Sequence, residues 1–202
     1  EITIGDWSSD VCSSDLWKMD TAMSIASEIS TPLPEFMMRE NTCCFTGHRR
    51  IPDYDAAEIP NLLDMTVGCL LDEGYRYFVC GGALGFDLLA EQAVIRSMKN
   101  GSGASLILAL PCPNQTEKWK NTALLREYRY IKGYAAAIEY ISDTHTDDCM
   151  KKRNQYMVDI SSFCVAYYNG AIASGSGQTY RMACRAGLEV LNIHSALRGE
   201  EL

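Results

Sequence analysis

No two of the nine cysteines, at positions 12, 43, 44, 69, 80, 112, 149, 164 and 184, form a CxxC pair. The three histidines, His48, His145 and His194, also stand apart from any paired cysteine spacing. A zinc centre of the Cys/His type is therefore not expected, and no metal is assigned. Most of the cysteines lie inside apolar runs such as Thr42-Cys43-Cys44-Phe45, which fits buried free thiols in a reducing compartment. Long hydrophobic runs are missing too. The longest apolar stretch, Ala104 to Pro111, is far below the ~20 residues that span a bilayer. No stretch combines the basic flank, apolar run and small-residue cleavage site of a secretory signal. A bacterial-type cytoplasm without a membrane partner is the expected setting.

What is present is a globular composition. With 202 residues, 47% hydrophobic and 22% charged, the chain has enough material for one large domain or at most two small ones. Its net charge of −8 argues against binding a polyanion such as nucleic acid. The charge is unevenly placed. Residues 1–40 hold eight acidic side chains against Lys18 and Arg39, a net of −6. The 16 basic and 18 acidic residues of 41–202 leave only −2. Any binding chemistry there must be read from local charge.

Residues 7–17 read WSSDVCSSDLW, with SSD repeated five residues apart. So little apolar surface points to disorder, and the segment is set aside as a disordered or artefactual leader covering 1–40. A short helix is compatible with Lys18 to Ser30. Pro32 and Pro34 then break the chain before the domain proper, 41–202.

From Asn41 onward strand and helix patterns alternate. Extended runs are expected at Asn41–Thr46, Tyr75–Cys80, Ser105–Leu110, Ala137–Ile141, Phe163–Tyr168 and Glu189–Ile193. Helical periodicity covers Ala56–Glu73, Phe86–Met98, Trp119–Tyr130, Asp148–Ile160 and Thr179–Ala186. Pro60 must lie in a first turn or end a preceding one. Such alternation predicts an α/β, Rossmann-like parallel sheet of five to six strands with helices on both faces. In such sheets ligands bind beyond the carboxyl ends of the strands.

The loops at those ends carry the chemistry. Thr46-Gly47-His48-Arg49 offers a hydroxyl, a flexible peptide, an imidazole and a guanidinium. Arginine can grip two phosphate oxygens in a planar fork. Gly81-Gly82 with Gly85 allows a tight turn with amides exposed at a helix start, where a phosphate is favoured; a plain glycine turn is the competing reading. The loop is neither a Walker A sequence nor GxGxxG. Asp87 could cap that helix or meet a ribose hydroxyl. Arg153-Asn154 supplies an anion donor and an amide, or a solvated helix face. Ser174 to Thr179 is a second phosphate-type loop, with Gly175 for flexibility and Ser176 and Thr179 as hydroxyl donors; a flexible surface loop is the alternative.

The segments CCFTGHR (Cys43–Arg49), GGALGFD (Gly81–Asp87), LPCPNQTEKW (Leu110–Trp119) and RNQYMVD (Arg153–Asp159), with a glycine/hydroxyl loop before the last helix, resemble the YpsA-like branch of the SLOG superfamily. Its relatives include DprA and the LOG phosphoribohydrolases. The resemblance covers about residues 41–194. It implies binding of a nucleotide or nucleotide derivative such as an ADP-ribose-like molecule, with no other cofactor certain. It also implies a sensing or processing role and frequent homodimers, for which Leu62 and Met65 are candidate interface residues. Two departures stand out. Where the family loop usually reads GGTxxT, Ser174 replaces a glycine, and its Cβ would crowd a phosphate if the backbone needed a positive φ. The LOG glutamate also has no counterpart in Gln178-Thr179-Tyr180-Arg181-Met182.

The leading expectation is therefore a nucleotide-binding sensor or regulator. A nucleotide N-glycosidase is the enzymatic alternative, with His48, Asp87 or Asp159 as acid/base candidates. A DprA-like single-stranded DNA binder is the third, through Arg126, Tyr128, Arg129, Tyr130 and Lys132. That cluster fits an exposed amphipathic helix equally well.

Overall fold

The computed structural model describes residues 31–171 and 174–199. The sequence-predicted helix at Lys18–Ser30 and most of the leader lie outside them. Six strands form one parallel sheet: β1 (Thr42–Gly47), β2 (Tyr77–Cys80), β3 (Ser105–Leu110), β4 (Ala137–Tyr140), β5 (Phe163–Tyr167) and β6 (Glu189–Asn192), in the order β4-β3-β2-β1-β5-β6. The helices are α1 (Asp53–Ala56), α2 (Ile59–Asp72), α3 (Phe86–Lys99), α4 (Thr122–Tyr134), α5 (Cys149–Asp159), α6 (Gly175–Arg185) and α7 (Ile193–Ala196). The α/β Rossmann-like fold read from the sequence is the one observed, with six strands.

Alternation along each strand divides the core. Cys43 and Phe45 of β1, Phe78 of β2 and Leu106, Leu108 and Leu110 of β3 face one side, with Leu63 and Val67 of α2 and Ala90 and Val94 of α3. Cys44, Val79, Ile107 and Ala109 face the other, against Met157 and Val158 of α5 and Ala183 of α6. Strands covered on both faces read as near-continuous apolar runs, as the Leu-Ile-Leu-Ala-Leu of β3 does. All eight described cysteines are free thiols, and six of them are buried in this core. Among the described residues no helix is long and apolar enough to cross a membrane.

Helix boundaries follow local chemistry. Pro60 lies in the first turn of α2, where its missing N–H costs no hydrogen bond. The expected start of α4 at Trp119 moves to Thr122, because Asn121 caps the helix by accepting from the amides of Ala123 and Leu124. The expected start of α6 moves the other way. Ser174 accepts from the Gly177 amide at 3.0 Å, so the helix begins at Gly175 and the sequence-predicted loop is its first turn. Ser174 has φ −127°, so its Cβ is accommodated in extended backbone. The last ten residues assigned to the leader lie against the domain: Thr31 is bonded to Ile138, and Arg39–Asn41 form a 3-10 turn that runs into β1.

The sheet order places the site. Strands β1 to β4 step outward in one direction, and the chain then returns past β1 to place β5 and β6 on its other side. The crevice between the ends of β1 and β5 is thus a topological switch point, where open α/β sheets bind ligands.

Candidate functional site

At that crevice lies a cleft of about 340 Å³. The β1 loop contributes Thr46, Gly47, His48 and Arg49; α5 contributes Arg153 and Asn154; the start of α6 contributes Gly175, Ser176 and Thr179; and Asp87 comes from α3. Ten of the thirteen sequence-predicted ligand contacts therefore converge on one cavity. The other three, Gly81, Gly82 and Gly85, do not line it.

The glycine loop has a different role. Its amides face the protein's own carboxylates: Gly82 N–H donates to Glu91 Oε1 at 3.1 Å, and the Gly81 and Ala83 amides act on Asp87 in the direction that lowers its carboxyl. The Gly82 carbonyl accepts from Gln115 Nε2 at 2.8 Å. No Cβ fits at residue 81, since it would stand 1.2 Å from Arg153 Nη1. Gly85 has φ +84°, and a Cβ there would meet the Arg49 carbonyl oxygen at 2.4 Å. The glycines let the guanidinium and the β1 loop approach closely. The phosphate-type cradle expected at Gly81-Gly82 is occupied by internal carboxylates.

Asp87, Glu91 and Arg153 form a buried cluster of ionisable side chains, each less than a tenth exposed. Arg153 Nη1 lies 3.7 Å from Asp87 Oδ2, an ion pair too long for a hydrogen bond. Burial raises the Asp87 carboxyl, opposed by Arg153 and by the two amides. Burial and the neighbouring Asp87 charge push Glu91 well above the usual range. Burial also lowers Arg153, with Asp87 and then Glu91 countering. The guanidinium remains poorly satisfied. Arg153 Nη2 reaches only Met150 Sδ at 4.0 Å, and among the described residues Arg153 Nε is buried with no hydrogen-bond partner. Such donors are normally paired.

His48 joins the two sides of the cleft. The Asn169 amide donates to His48 Nε2 at 3.3 Å, which places the lone pair there. The neutral ring then carries its hydrogen on Nδ1, directed at Ser176 Oγ 2.8 Å away. The Ser176 hydroxyl donates onward to Ser174 Oγ at 3.4 Å. In this tautomer the imidazole donates to the serine and takes no proton from it. It positions Ser176 and does not activate it as a nucleophile. The first amides of α6, at Gly175 and Ser176, have no intrahelical acceptor and carry the positive end of the helix dipole.

The model of the YpsA family, described as the YspA SLOG family, matches residues 51–188. The chain belongs to this family. No curated protein matches it significantly. Among solved structures, DNA processing protein A (DprA) from Streptococcus pneumoniae superposes with a TM-score of 0.55 at 16% identity, over 82% of this chain and 59% of that one. DNA processing protein A from Helicobacter pylori, a structure described for its single-stranded DNA binding mode, gives 0.53 at 18%, over 76% and 64%. This SLOG chain thus spans about three fifths of each neighbour, and at these identities the likeness shows the fold.

Of the catalytic candidates, His48 and Asp87 line the SLOG cleft. Asp159 does not: it is exposed at the end of α5, accepting from Gln155 Nε2 at 2.7 Å. Five lining residues fall outside the sequence-predicted set: Phe45, Ala83, Met150, Met157 and Ser174. Nothing in the residue types of the four apolar ones marks them. Glu91 was detectable, because a carboxylate one helical turn after Asp87 falls between the core positions Ala90 and Val94. Among the described residues no group of three metal-ligating side chains converges.

Proposed function

We propose that this SLOG domain binds a nucleotide or nucleotide derivative, of ADP-ribose-like chemistry, through its phosphates in the β1/β5 cleft, and that it works as a sensor or regulator. The observation that carries this reading is Arg153. A buried guanidinium with unmet donors, sharing its cleft with the first turn of α6 and with Thr46, Ser176 and Thr179, is a receptor for an anion with several oxygens. Arg49 adds a second cation at the rim.

Binding without turnover is favoured over N-glycosidic hydrolysis. Such cleavage needs a carboxylate free to steady an oxocarbenium-like centre or activate water. Asp87 is the one carboxylate among the cleft's described lining residues, and Arg153 and two amides engage it. The single-stranded DNA reading has less support, since Tyr128 of its aromatic cluster is buried and Lys132 is hydrogen-bonded to Tyr140.

Thermal melts with AMP, ADP, ADP-ribose and pyrophosphate test the reading. A ligand at a hundredfold its Kd is expected to raise Tm by about 5–10 °C. Arg153→Lys, which keeps the charge and loses the fork, is expected to remove most of that rise. Equal melting of the wild type with every compound overturns the reading. Release of free base from any of them would favour the enzyme.

A further inference from the structure

A second cavity, of about 520 Å³, adjoins the anion cleft, and Arg49 and Met150 line both. Its lining mixes apolar and charged side chains. The half-buried indole of Trp119 lies with Leu84 and Leu124, the amides of Asn114 and Gln115 edge it, and Lys118, Lys120 and His145 add polar groups. Trp119 is held from behind. Tyr128 meets it edge-on, with ring centroids 5.4 Å apart at 67°. Tyr128 is in turn fixed by Gln115 Nε2, which reaches its hydroxyl at 3.2 Å and the Gly82 carbonyl at 2.8 Å. The loop that carries Trp119 is therefore tied to the same glycine turn that admits Arg153.

We infer that the Trp119 cavity is a second subsite that stacks the nucleobase-type ring of a ligand whose phosphates lie at Arg153, with Arg49 between the two. The inference rests on the anion-binding reading of the cleft. The indole offers a face on which a flat ring stacks, and the guanidinium fork at Arg153 matches phosphate oxygens. A continuous pair of cavities, one for each, selects a ligand that carries both. Each cavity is large enough for one nucleotide-sized fragment. Base–aromatic stacking is tolerant of base identity. The Asn114 and Gln115 amides are the groups placed to read a ring edge.

The inference is tested by calorimetric titration of the full chain, in wild-type, Trp119→Leu and Trp119→Phe forms. The probes are ADP, inorganic pyrophosphate and a short oligo-dT strand. Wild type is expected to bind ADP about tenfold more tightly than pyrophosphate. Trp119→Leu should abolish that difference while leaving pyrophosphate affinity unchanged, and Trp119→Phe should keep most of it. The unchanged pyrophosphate affinity also reports that the Leu variant is folded. Equal affinities for ADP and pyrophosphate in wild type, or an equal loss of both in Trp119→Leu, overturn the second subsite and leave the anion cleft standing. Absence of binding by both compounds in wild type removes the anion reading itself. Trp119-dependent binding of oligo-dT without ADP binding overturns the small-ligand assignment.

Discussion

Gly81 and Arg153 compete for one volume, since the guanidinium fills the space that any side chain at residue 81 would need. The obstruction is the buried end of a side chain, so a methyl group at residue 81 forces the guanidinium to move. Gly81→Ala is expected to displace Arg153, cost about 1–3 kcal/mol from overpacking and abolish the nucleotide-dependent rise in Tm. Urea melts paired with ligand-shift melts check both effects. A variant that is destabilised and still shows the full ligand shift would remove Arg153 as the anion contact.

The bond between His48 Nδ1 and Ser176 Oγ joins the loop after β1 to the first turn of α6. His48→Ala and Ser176→Ala should each cost about 1 kcal/mol of stability and weaken ligand binding. The double variant should cost clearly less than the sum, because both remove one contact. A double-mutant cycle by chemical denaturation measures this. Strict additivity would show that the two side chains are not coupled.

Glu91 gives the fold a dependence on pH. Its carboxyl is raised by burial and by Asp87, so the folded state holds a proton that the unfolded state releases near the ordinary value of 4.5. Stability is fully present below that value and declines as pH rises toward the folded-state value. Glu91→Gln keeps an acceptor for the Gly82 amide and carries no charge. It should raise Tm near neutral pH and flatten the decline seen above pH 4.5, as followed by melts across a pH series. A parallel decline in the variant would assign the effect to another group.

Asp55 acts with the opposite sign. Burial alone would raise its carboxyl, but the Tyr167 hydroxyl and then Arg198 outweigh that and hold it below 3.8. Its contribution is present above 3.8 and is lost as pH falls through the lower folded-state value. Tyr167→Phe should cost about 1–3 kcal/mol at neutral pH and move the acid-unfolding midpoint upward. Circular dichroism across an acid titration provides the check. An unchanged midpoint would mean that Arg198 alone sustains the carboxylate.

The sheet and the location of the cleft were legible because they depend on periodicity and on loops that follow strands. Thr46, His48, Arg153 and Ser176 carry polar groups that mark them wherever the chain places them. Less visible was the function of Gly81-Gly82. Glycine reports only that a side chain is absent, and a phosphate, a guanidinium or a neighbouring loop can each require that. The distinction depended on Asp87 and Glu91, which take up the amides from within the fold. The start of α6 was misplaced for a related reason: Gly175, Ser176 and Gly177 have poor helix propensity, and the Ser174 cap and packing against the sheet overcome it. Asp159 reads as a candidate in the motif and faces solvent in the fold, because helical spacing sets it about 120° around α5 from Arg153.

Thr31 has a further consequence. It takes up both the amide and the carbonyl of Ile138, on a strand that otherwise ends the sheet. A fragment cut at residue 41 to discard the acidic leader would uncover those groups. It would also turn β4 into a template for edge-to-edge pairing with other chains. A boundary set before Thr31 keeps both of those hydrogen bonds on the edge strand.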